Sequence, residues 1–347
     1  MSPEDPIDVP CIRIREPGEP DVLEHATRAL PPPGPGELRV RVVASGVNRA
    51  DLLQRRGLYP APEGFDDAYP GLEYAGTVEE LGPACTLREV GDRVMGIVGG
   101  GGYAAALNVR ERETVRVPDG LPLVDAGAIP EAYMTAWDAL VGQAGLQAGE
   151  TVLIHAVGSG VGTAALHLAA AAGARTIGTS RTPSKVERAR AAGLDEGIVA
   201  EGEGQVEGES DGPGPTWVER VRDATGGAGV DVILDLVGAS YLEGNAQVLG
   251  HRGRWIVVGV PGGTRGTIDL RALMAARGRI QGTLLRARPP EEKARLARDF
   301  EARVVPQFER GLLRPVVGQI LPASRASEAH AIMEANRNWG KILLRWS

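Results

Sequence analysis

The alternation of apolar and polar positions changes character near Leu123. Up to about Pro118 the chain reads as short β segments cut by Gly and Pro: "ELRVRVVASGV" alternates and then turns, "YAGTVEELG" and "GDRVMGIV" have strand texture, and "RETVRVP" closes the series. "PPPGPGE", ahead of the first of these, predicts a loop or an extended polyproline-type segment. From Leu123 onward helical and strand patterns alternate. "DAGAIPEAYMTAWDALV" predicts a helix, "ETVLIHAV" a buried strand and "GTAALHLAAAAG" a second helix. "RTIGTS", "VDVILDLVG", "GRWIVVGV" and "RIQGTLLRA" follow as strands, with "PSKVERARAAG" as a helix among them. Continuous apolar strands alternating with helices predict a parallel sheet covered on both faces. "EEKARLARDFEARVVPQFERG" predicts an amphipathic helix near the end, and "GKILLRW" a last strand. One stretch breaks the rhythm: residues 200–215, "AEGEGQVEGESDGPGP", are acidic, rich in Gly and almost without apolar residues, which predicts a mobile surface loop.

The strongest local signal is "VLIHAVGSGVGTAALHLAAAAGA", residues 152–174. A strand ending in small residues and feeding a helix collects free backbone N–H groups and the positive end of the helix dipole at one spot, which suits a pyrophosphate. The usual dinucleotide fingerprint has three glycines spaced G-x-G-x-x-G. Here Val157, Ser159 and Gly162 stand at those positions, with Gly158 and Gly160 between them. A degenerate glycine loop alone is as often an ordinary tight turn, but this one has the strand before it and the helix after it. Gly162 would let the helix pack close to the sheet. Ser159 could donate to a phosphate or lie near enough to the reacting ring to take part in chemistry; the phosphate role is the expectation.

The second strand bears on which dinucleotide is held. A site for NAD carries Asp or Glu about 20 residues beyond the loop, on the ribose 2′-hydroxyl. Here the strand end reads "TIGTSRTPSK", with Thr179, Ser180, Arg181 and Lys185 and no carboxylate. Hydroxyls and cations accept a 2′-phosphate that a carboxylate would repel. Two cations at a helix start oppose the dipole unless an anion sits there, so NADPH is the expected cofactor.

Composition narrows the remaining classes. The chain has 347 residues, 43% of them hydrophobic, enough for two domains with ample cores. Its net charge of −7 is spread among mixed acidic and basic positions, which argues against nucleic acid as a partner. The two cysteines, Cys11 and Cys85, are isolated and fit a reducing, cytoplasmic setting. "MSPEDPIDVP" lacks the basic-then-apolar pattern of a signal peptide, and no apolar run approaches a membrane span. The five histidines, His25, His155, His167, His251 and His330, are scattered without ligand spacing, so no metal site is expected. "VGSGVG" lacks the spacing of a serine-hydrolase elbow. Hydride transfer without a metal is what remains.

Ordered motifs then resemble a family. "SGVNRADLLQRRGLYPAPEG", "PGLEYAGTVEELG", "AGAIPEAYMTAWDAL", "ILDLVGASYLE" and "AHAIMEANRNWGKILL", together with the glycine loop, resemble the zinc-independent quinone oxidoreductases of the medium-chain dehydrogenase/reductase superfamily. Within that branch, "NRADLLQRRGLY" and "SGVGTAA" are most similar to the stress-induced quinone reductases and their bacterial relatives. The resemblance runs from about Ile12 to Leu344. Zinc-dependent cousins place a ligand cysteine where Asn48 stands and a ligand histidine where Leu72 stands, and their lobe of four clustered cysteines has no counterpart here.

The resemblance implies a GroES-like β-barrel catalytic domain in two pieces, residues 1–127 and 287–347, around a Rossmann nucleotide domain at 128–286. It implies that Gly158, Ser159, Gly160, Val161 and Gly162 lie under the pyrophosphate, and that Ser180, Arg181 and Lys185 surround the 2′-phosphate. Relatives also set a tyrosine beside this phosphate, in the region that is here the acidic insert. Nicotinamide would meet Asn48, Thr135, Gly259 and Leu285. Asn338 and Lys341 would close over the cofactor, or form a helix cap followed by a surface charge. Tyr59, beside Asn48, would touch the substrate and hydrogen-bond a quinone oxygen, or else pack in the turn "GLYPAP". The implied activity is NADPH-dependent quinone reduction, with reduction of enones or enoyl thioesters as the alternative on the same architecture. A non-catalytic protein that holds NADPH and binds RNA is disfavoured by the acidic charge. A homodimer through the edge strand at residues 279–286 is also implied.

Overall fold

A computed structural model describes residues 5–200 and 216–346. The chain divides into two compact units, one running to Met134 and resuming at Leu285, the other Thr135–Leu284.

The first unit is built on a seven-stranded sheet. Its order is Val317–Pro322, Lys341–Arg345, Glu37–Val47, Glu73–Leu81, Arg93–Ile97 and Thr114–Arg116, with Ala106–Arg110 also pairing to Glu37–Val47. All neighbours are antiparallel except the first two strands. Alternation in "ELRVRVV" buries Leu38, Val40 and Val42 on one face, against Tyr74, Val78, Val94, Leu107, Ile342 and Leu344. A hairpin of Ile7–Ile14 with Leu23–Leu30, which the apolar pattern does not single out, closes a smaller cluster of Val9, Cys11 and Leu30 on Ala104 and Ala106. The expected C-terminal amphipathic helix is two helices, Pro290–Arg303 and Val305–Glu309; Pro306 sits in the first turn of the second.

The second unit is a six-stranded parallel sheet in the order Glu196–Val199, Arg175–Ser180, Thr151–Ile154, Val230–Asp235, Leu249–Val257, Arg279–Gly282. Counted within the unit this is 3-2-1-4-5-6, the doubly wound dinucleotide-binding order. The sequence direction reverses between Thr151–Ile154 and Val230–Asp235, and the glycine loop leaves the carboxyl end of Thr151–Ile154 at that point. Continuous burial of Val152, Leu153 and Ile154, and of Val232, Ile233 and Leu234, explains why these strands lack alternation: both faces are covered.

Two expectations need correction. The strand expected over 279–286 ends at Gly282, and its residues are all exposed. Leu285 and Arg286 instead turn into the first unit, where both are buried. Of the acidic insert, Ala200 is buried and its N–H donates to Ser180 O at 3.0 Å; the rest lies outside the described residues.

Candidate active site

In the second unit the loop is shaped by close packing. A Cβ on Gly162 would fall 2.8 Å from Val157 Cα and collide with Ala156 O, so only glycine lets the helix Gly160–Ala171 start this close to the strand. Ala156 itself adopts φ +48°, a left-handed conformation that costs energy in any residue but glycine. Ser159 is the N-cap of that helix, its Oγ accepting from Gly162 N–H at 3.0 Å. An accepting hydroxyl still has its own proton to donate, so the cap leaves a donor that a phosphate oxygen can take. We expect Ser159→Ala to lower the melting temperature, through a cap worth about 1 kcal/mol. The KM for the nicotinamide cofactor should change by less than about threefold, whereas a collapse of turnover at saturating cofactor would place the hydroxyl in the chemistry.

Lys185, in the helix Pro183–Ala191, lays its stem against the loop: a Cβ on Gly158 would sit 2.9 Å from Lys185 Cδ. Ser180 ends its strand and its Oγ accepts from Thr182 N–H at 3.2 Å, with exposed Arg181 next to it. Sequence reasoning missed the aromatic group behind these residues. Tyr241 hydrogen-bonds Thr179 and lies within electrostatic reach of Arg181. Its ring stacks on Trp217 with centroids 5.1 Å apart. The segment "GASY" carried Tyr241 in plain view, but only the fold brings it to the end of the second strand.

His155 is a packed histidine. It is fully buried, with Nδ1 2.8 Å from Thr179 Oγ1 and Nε2 2.6 Å from Asn245 Oδ1. An amide oxygen only accepts, so Nε2 carries the proton and Nδ1 accepts from the threonine. Burial holds the ring below its ordinary pKa and keeps it neutral. Asn245 in turn donates to Asp235, as does Trp255 Nε1, tying together the carboxyl ends of the central strands. Thr135, at the start of this unit, is buried with its Oγ1 unpartnered. Gly259 donates to Asp235 O at 3.3 Å and has room for a side chain, so no steric demand explains glycine there. The glycine cradle, the helix start and the orphaned Thr135 hydroxyl fit a dinucleotide.

In the first unit Asn48 precedes the helix Arg49–Arg55 and its N–H donates to Asp51 Oδ2 at 2.8 Å. Its Nδ2 donates to Glu73 Oε1 at 2.8 Å and to Gly46 O at 3.2 Å, and its Oδ1 accepts from Lys341 Nζ at 2.6 Å. Lys341 is 4% exposed and spends its other donors on Glu73 and on Val47 O. The surface-charge reading of Lys341 is therefore wrong: strand pairing sets Ile342 opposite Val47 and draws the preceding lysine inward. Asn338 is also buried, with Nδ2 donating to Gly340 O at 3.1 Å. Glu73 is fully buried, and Gly46 makes room for it, since a Cβ there would lie 2.6 Å from Glu73 Cδ.

This pair extends into a polar chain. Asp51 accepts from Tyr103 OH at 3.0 Å and from Gly71 N–H at 3.2 Å. Burial pushes its carboxyl up to about 6. Tyr103 OH is 3.2 Å from His330 Nε2, and Arg55 Nη1 is 3.4 Å from His330 Nδ1. Burial and the neighbouring guanidinium hold His330 down at about 3, so it stays neutral.

Tyr59 is half-buried and its ring lies under the Arg286 guanidinium, 5.0 Å from the centroid. Arg286 is 4% exposed and is held by neutral acceptors: Gly99 O at 2.7 Å, Gln54 Oε1 at 2.6 Å and Pro60 O at 3.4 Å. Burial raises the Tyr59 phenol above its ordinary range, so it keeps its proton at neutral pH and can donate. Leu72 is buried beside Glu73, and among the described residues no group of three His, Cys, Asp or Glu side chains could hold a metal ion.

With the geometry in hand, comparison places the chain. Residues 34–119 match the alcohol dehydrogenase GroES-like domain and residues 160–305 the zinc-binding dehydrogenase model. Quinone oxidoreductase of Sus scrofa is 31% identical over 342 residues, covering 96% of this chain and 97% of that protein. Phthioceranic/hydroxyphthioceranic acid synthase of Mycobacterium tuberculosis is 35% identical over 96% of this chain, which spans only 15% of the synthase. Among solved structures, an NAD-dependent alcohol dehydrogenase superposes at a TM-score of 0.84 with 31% identity, covering 97% of this chain and 100% of that one. A mycobacterial protein complexed with NADPH superposes at 0.81 with 30% identity, covering 97% and 100%. The JamJ enoyl reductase gives 0.83 with 25% identity, covering 97% and 99%. The chain belongs to the medium-chain dehydrogenase/reductase superfamily. That family is one of oxidoreductases that bind a nicotinamide cofactor, and no helix among the described residues of this chain is long and apolar enough to cross a membrane.

Proposed function

We propose that the chain is an NADPH-dependent quinone oxidoreductase that works without zinc. The observation that carries the cofactor assignment is the end of the second strand, where Ser180, Arg181 and Lys185 stand without a carboxylate and Lys185 packs on the phosphate loop. The quinone assignment is supported by full-length similarity to the porcine quinone oxidoreductase. Zinc independence is supported by Asn48, whose carboxamide is already saturated by Glu73, Gly46 and Lys341, and by apolar Leu72.

A bound dihydronicotinamide supplies a hydride. The backbone N–H groups of Gly158, Gly160 and Val161 and the Ser159 hydroxyl proton would hold the diphosphate, since Ser159 N–H donates to Ala156 O and Gly162 N–H to Ser159 Oγ, and Thr135 would offer its unpartnered hydroxyl to the cofactor. Tyr59 presents a protonated phenol to an acceptor oxygen, with Arg286 over its ring favouring negative charge there. Asn48 is fixed by its hydrogen bonds and orients rather than exchanges protons. Asn338 and Lys341 are spent within the first unit and secure the walls of the site rather than the cofactor.

Reduction of an enoyl thioester or enone is the second reading, favoured by the match to the acyl synthase and to an enoyl reductase. A panel of quinones, alkenals and enoyl-CoA with NADPH and NADH separates them. Quinone turnover with NADPH at least tenfold above the other acceptors is the expected result, and preference for enoyl-CoA would replace this reading with the second.

We also propose a homodimer through the edge strand Arg279–Gly282, where Ile280 is exposed and Met274 and Leu284 present further apolar surface. Wild type should sediment as a dimer and Ile280→Glu as a monomer; a monomeric wild type at micromolar concentration would remove the proposal. The acidic surface charge and two free cysteines suit a reducing, cytoplasmic setting without nucleic acid.

A further inference from the structure

His155 stands between the strand Thr151–Ile154 and the glycine loop, and both nitrogens of its buried ring have a directed partner. The direction starts at Asp235. Its two carboxylate oxygens accept from Val237 N–H and Gly238 N–H, both at 2.8 Å, from Trp255 Nε1 at 3.0 Å and from Asn245 Nδ2 at 3.1 Å. A carboxylate that accepts from every side has no proton to give, so the Asn245 amide must turn its oxygen to His155 Nε2, 2.6 Å away. Nε2 then carries the ring proton, and Nδ1 is left to accept from Thr179 Oγ1 at 2.8 Å. The rings of Tyr241 and Trp217 pack edge-on against the imidazole, with centroids 4.6 and 5.2 Å away.

Both ends of this histidine meet parts of the cofactor site. Along the backbone it leads into Ala156, whose left-handed φ of +48° persists only while its neighbours hold it. Before Ala156 the His155 N–H donates to Leu234 O at 3.1 Å, and after it the Val157 N–H donates to Thr179 O at 3.0 Å. Ala156 O accepts from Ser159 N–H at 2.9 Å and limits how close the helix Gly160–Ala171 can start. Through its ring His155 bonds Thr179, the residue before Ser180 and Arg181. One side chain thus joins the loop assigned to the diphosphate to the strand end assigned to the 2′-phosphate. The 5′- and 2′-phosphates hang from one rigid ribose, so the two subsites must keep a matching span.

Resting on the NADPH reading above, we propose that His155 is a positioning residue that sets this span, so that the 2′-phosphate is read only when the strand end is locked to the loop. It acts through Thr179 and Ala156 and touches neither phosphate itself. Without the bond from Thr179 to Nδ1, the strand Arg175–Ser180 keeps its pairing to its neighbours. The turn into Arg181 beyond it is then no longer tied to the loop through a side chain.

Calorimetric titration of the full chain with two nucleotides tests this: AMP, which carries the 5′-phosphate alone, and adenosine 2′,5′-bisphosphate, which carries both. Wild type should bind the bisphosphate at least about tenfold more tightly than AMP, the worth of one charge-assisted hydrogen bond. His155→Phe, which keeps an aromatic ring in place, should lose most of that ratio while its Kd for AMP stays within about threefold. Thr179→Val, which keeps the shape and removes only the hydroxyl, should do the same, and it carries the test alone if the phenylalanine variant does not fold. His155→Gln, whose amide can accept from Thr179 and donate to Asn245, should recover the ratio. An unchanged ratio in Thr179→Val overturns the proposal and leaves the NADPH reading standing. So does an equal loss of both nucleotides, which would mean that His155 only packs. If wild type binds the two nucleotides alike, the NADPH reading falls and takes the positioning role with it.

Discussion

Lys341→Met should cost about 3–5 kcal/mol of stability, because it strands the Glu73 carboxylate in the interior. Both side chains are almost completely buried, and among the described residues no other cation bonds Glu73, whose other hydrogen bonds come from the Asn48 amide and the Glu131 N–H. Methionine keeps most of the stem volume, so a large loss reports the missing charge rather than a cavity. The double variant Lys341→Met with Glu73→Gln removes both charges and leaves a neutral amide whose single oxygen can accept from Asn48 Nδ2 or from Glu131 N–H, but not from both. Replacing both members of a buried pair is often close to neutral, so the double variant should be more stable than Lys341→Met alone. Urea unfolding followed by circular dichroism, fitted separately for the two units, reads this out. Equal midpoints for wild type and Lys341→Met would mean that the ion pair is not buried in solution.

That pair also shows where the sequence stops being legible. Lys341 and Glu73 are separated by 268 positions, and neither has a local pattern that announces the other. A lysine following "NWG" reads as a cofactor contact or as a surface charge, because its burial is decided by the pairing of Lys341–Arg345 with Glu37–Val47, which no window of sequence contains. Asp51, Tyr103 and His330 stayed hidden for the same reason, each coming from a different element. Arg286 was read as the end of an edge strand because "RIQGTLLRA" is apolar enough to continue, whereas its guanidinium finds Gly99 O and Gln54 across long sequence separations.

The nucleotide unit was far more legible, since its signals are local. An apolar run with both faces covered, a turn of small residues and a helix rich in Ala follow one another within residues 151–171. Packing at Gly162 can be anticipated from the fingerprint position alone. What local reading left undecided at Ser159 was whether its hydroxyl serves the phosphate or the chemistry, and it did not foresee the cap, which is a matter of one hydroxyl's orientation.

Cofactor choice gives the second large effect, and it rests on those same local residues. A 2′-phosphate carries close to two negative charges, and charge-assisted hydrogen bonds to it are worth about 1.5–3 kcal/mol each. Arg181→Ala and Lys185→Ala should each therefore lower kcat/KM for NADPH by about ten- to a hundredfold while leaving NADH within about threefold. The Lys185 stem also covers Gly158, so Lys185→Met, which keeps the packing, should lose the same preference without loosening the loop. Ser180→Asp adds the carboxylate that NAD sites use and should invert the preference outright, since Ser180 ends the strand immediately before Arg181. Kinetics with both cofactors at matched quinone concentration decide the matter. Equal losses with NADPH and NADH in the Arg181 and Lys185 variants would show that these residues shape the loop rather than read the phosphate, and the NADPH assignment would then lose its physical basis.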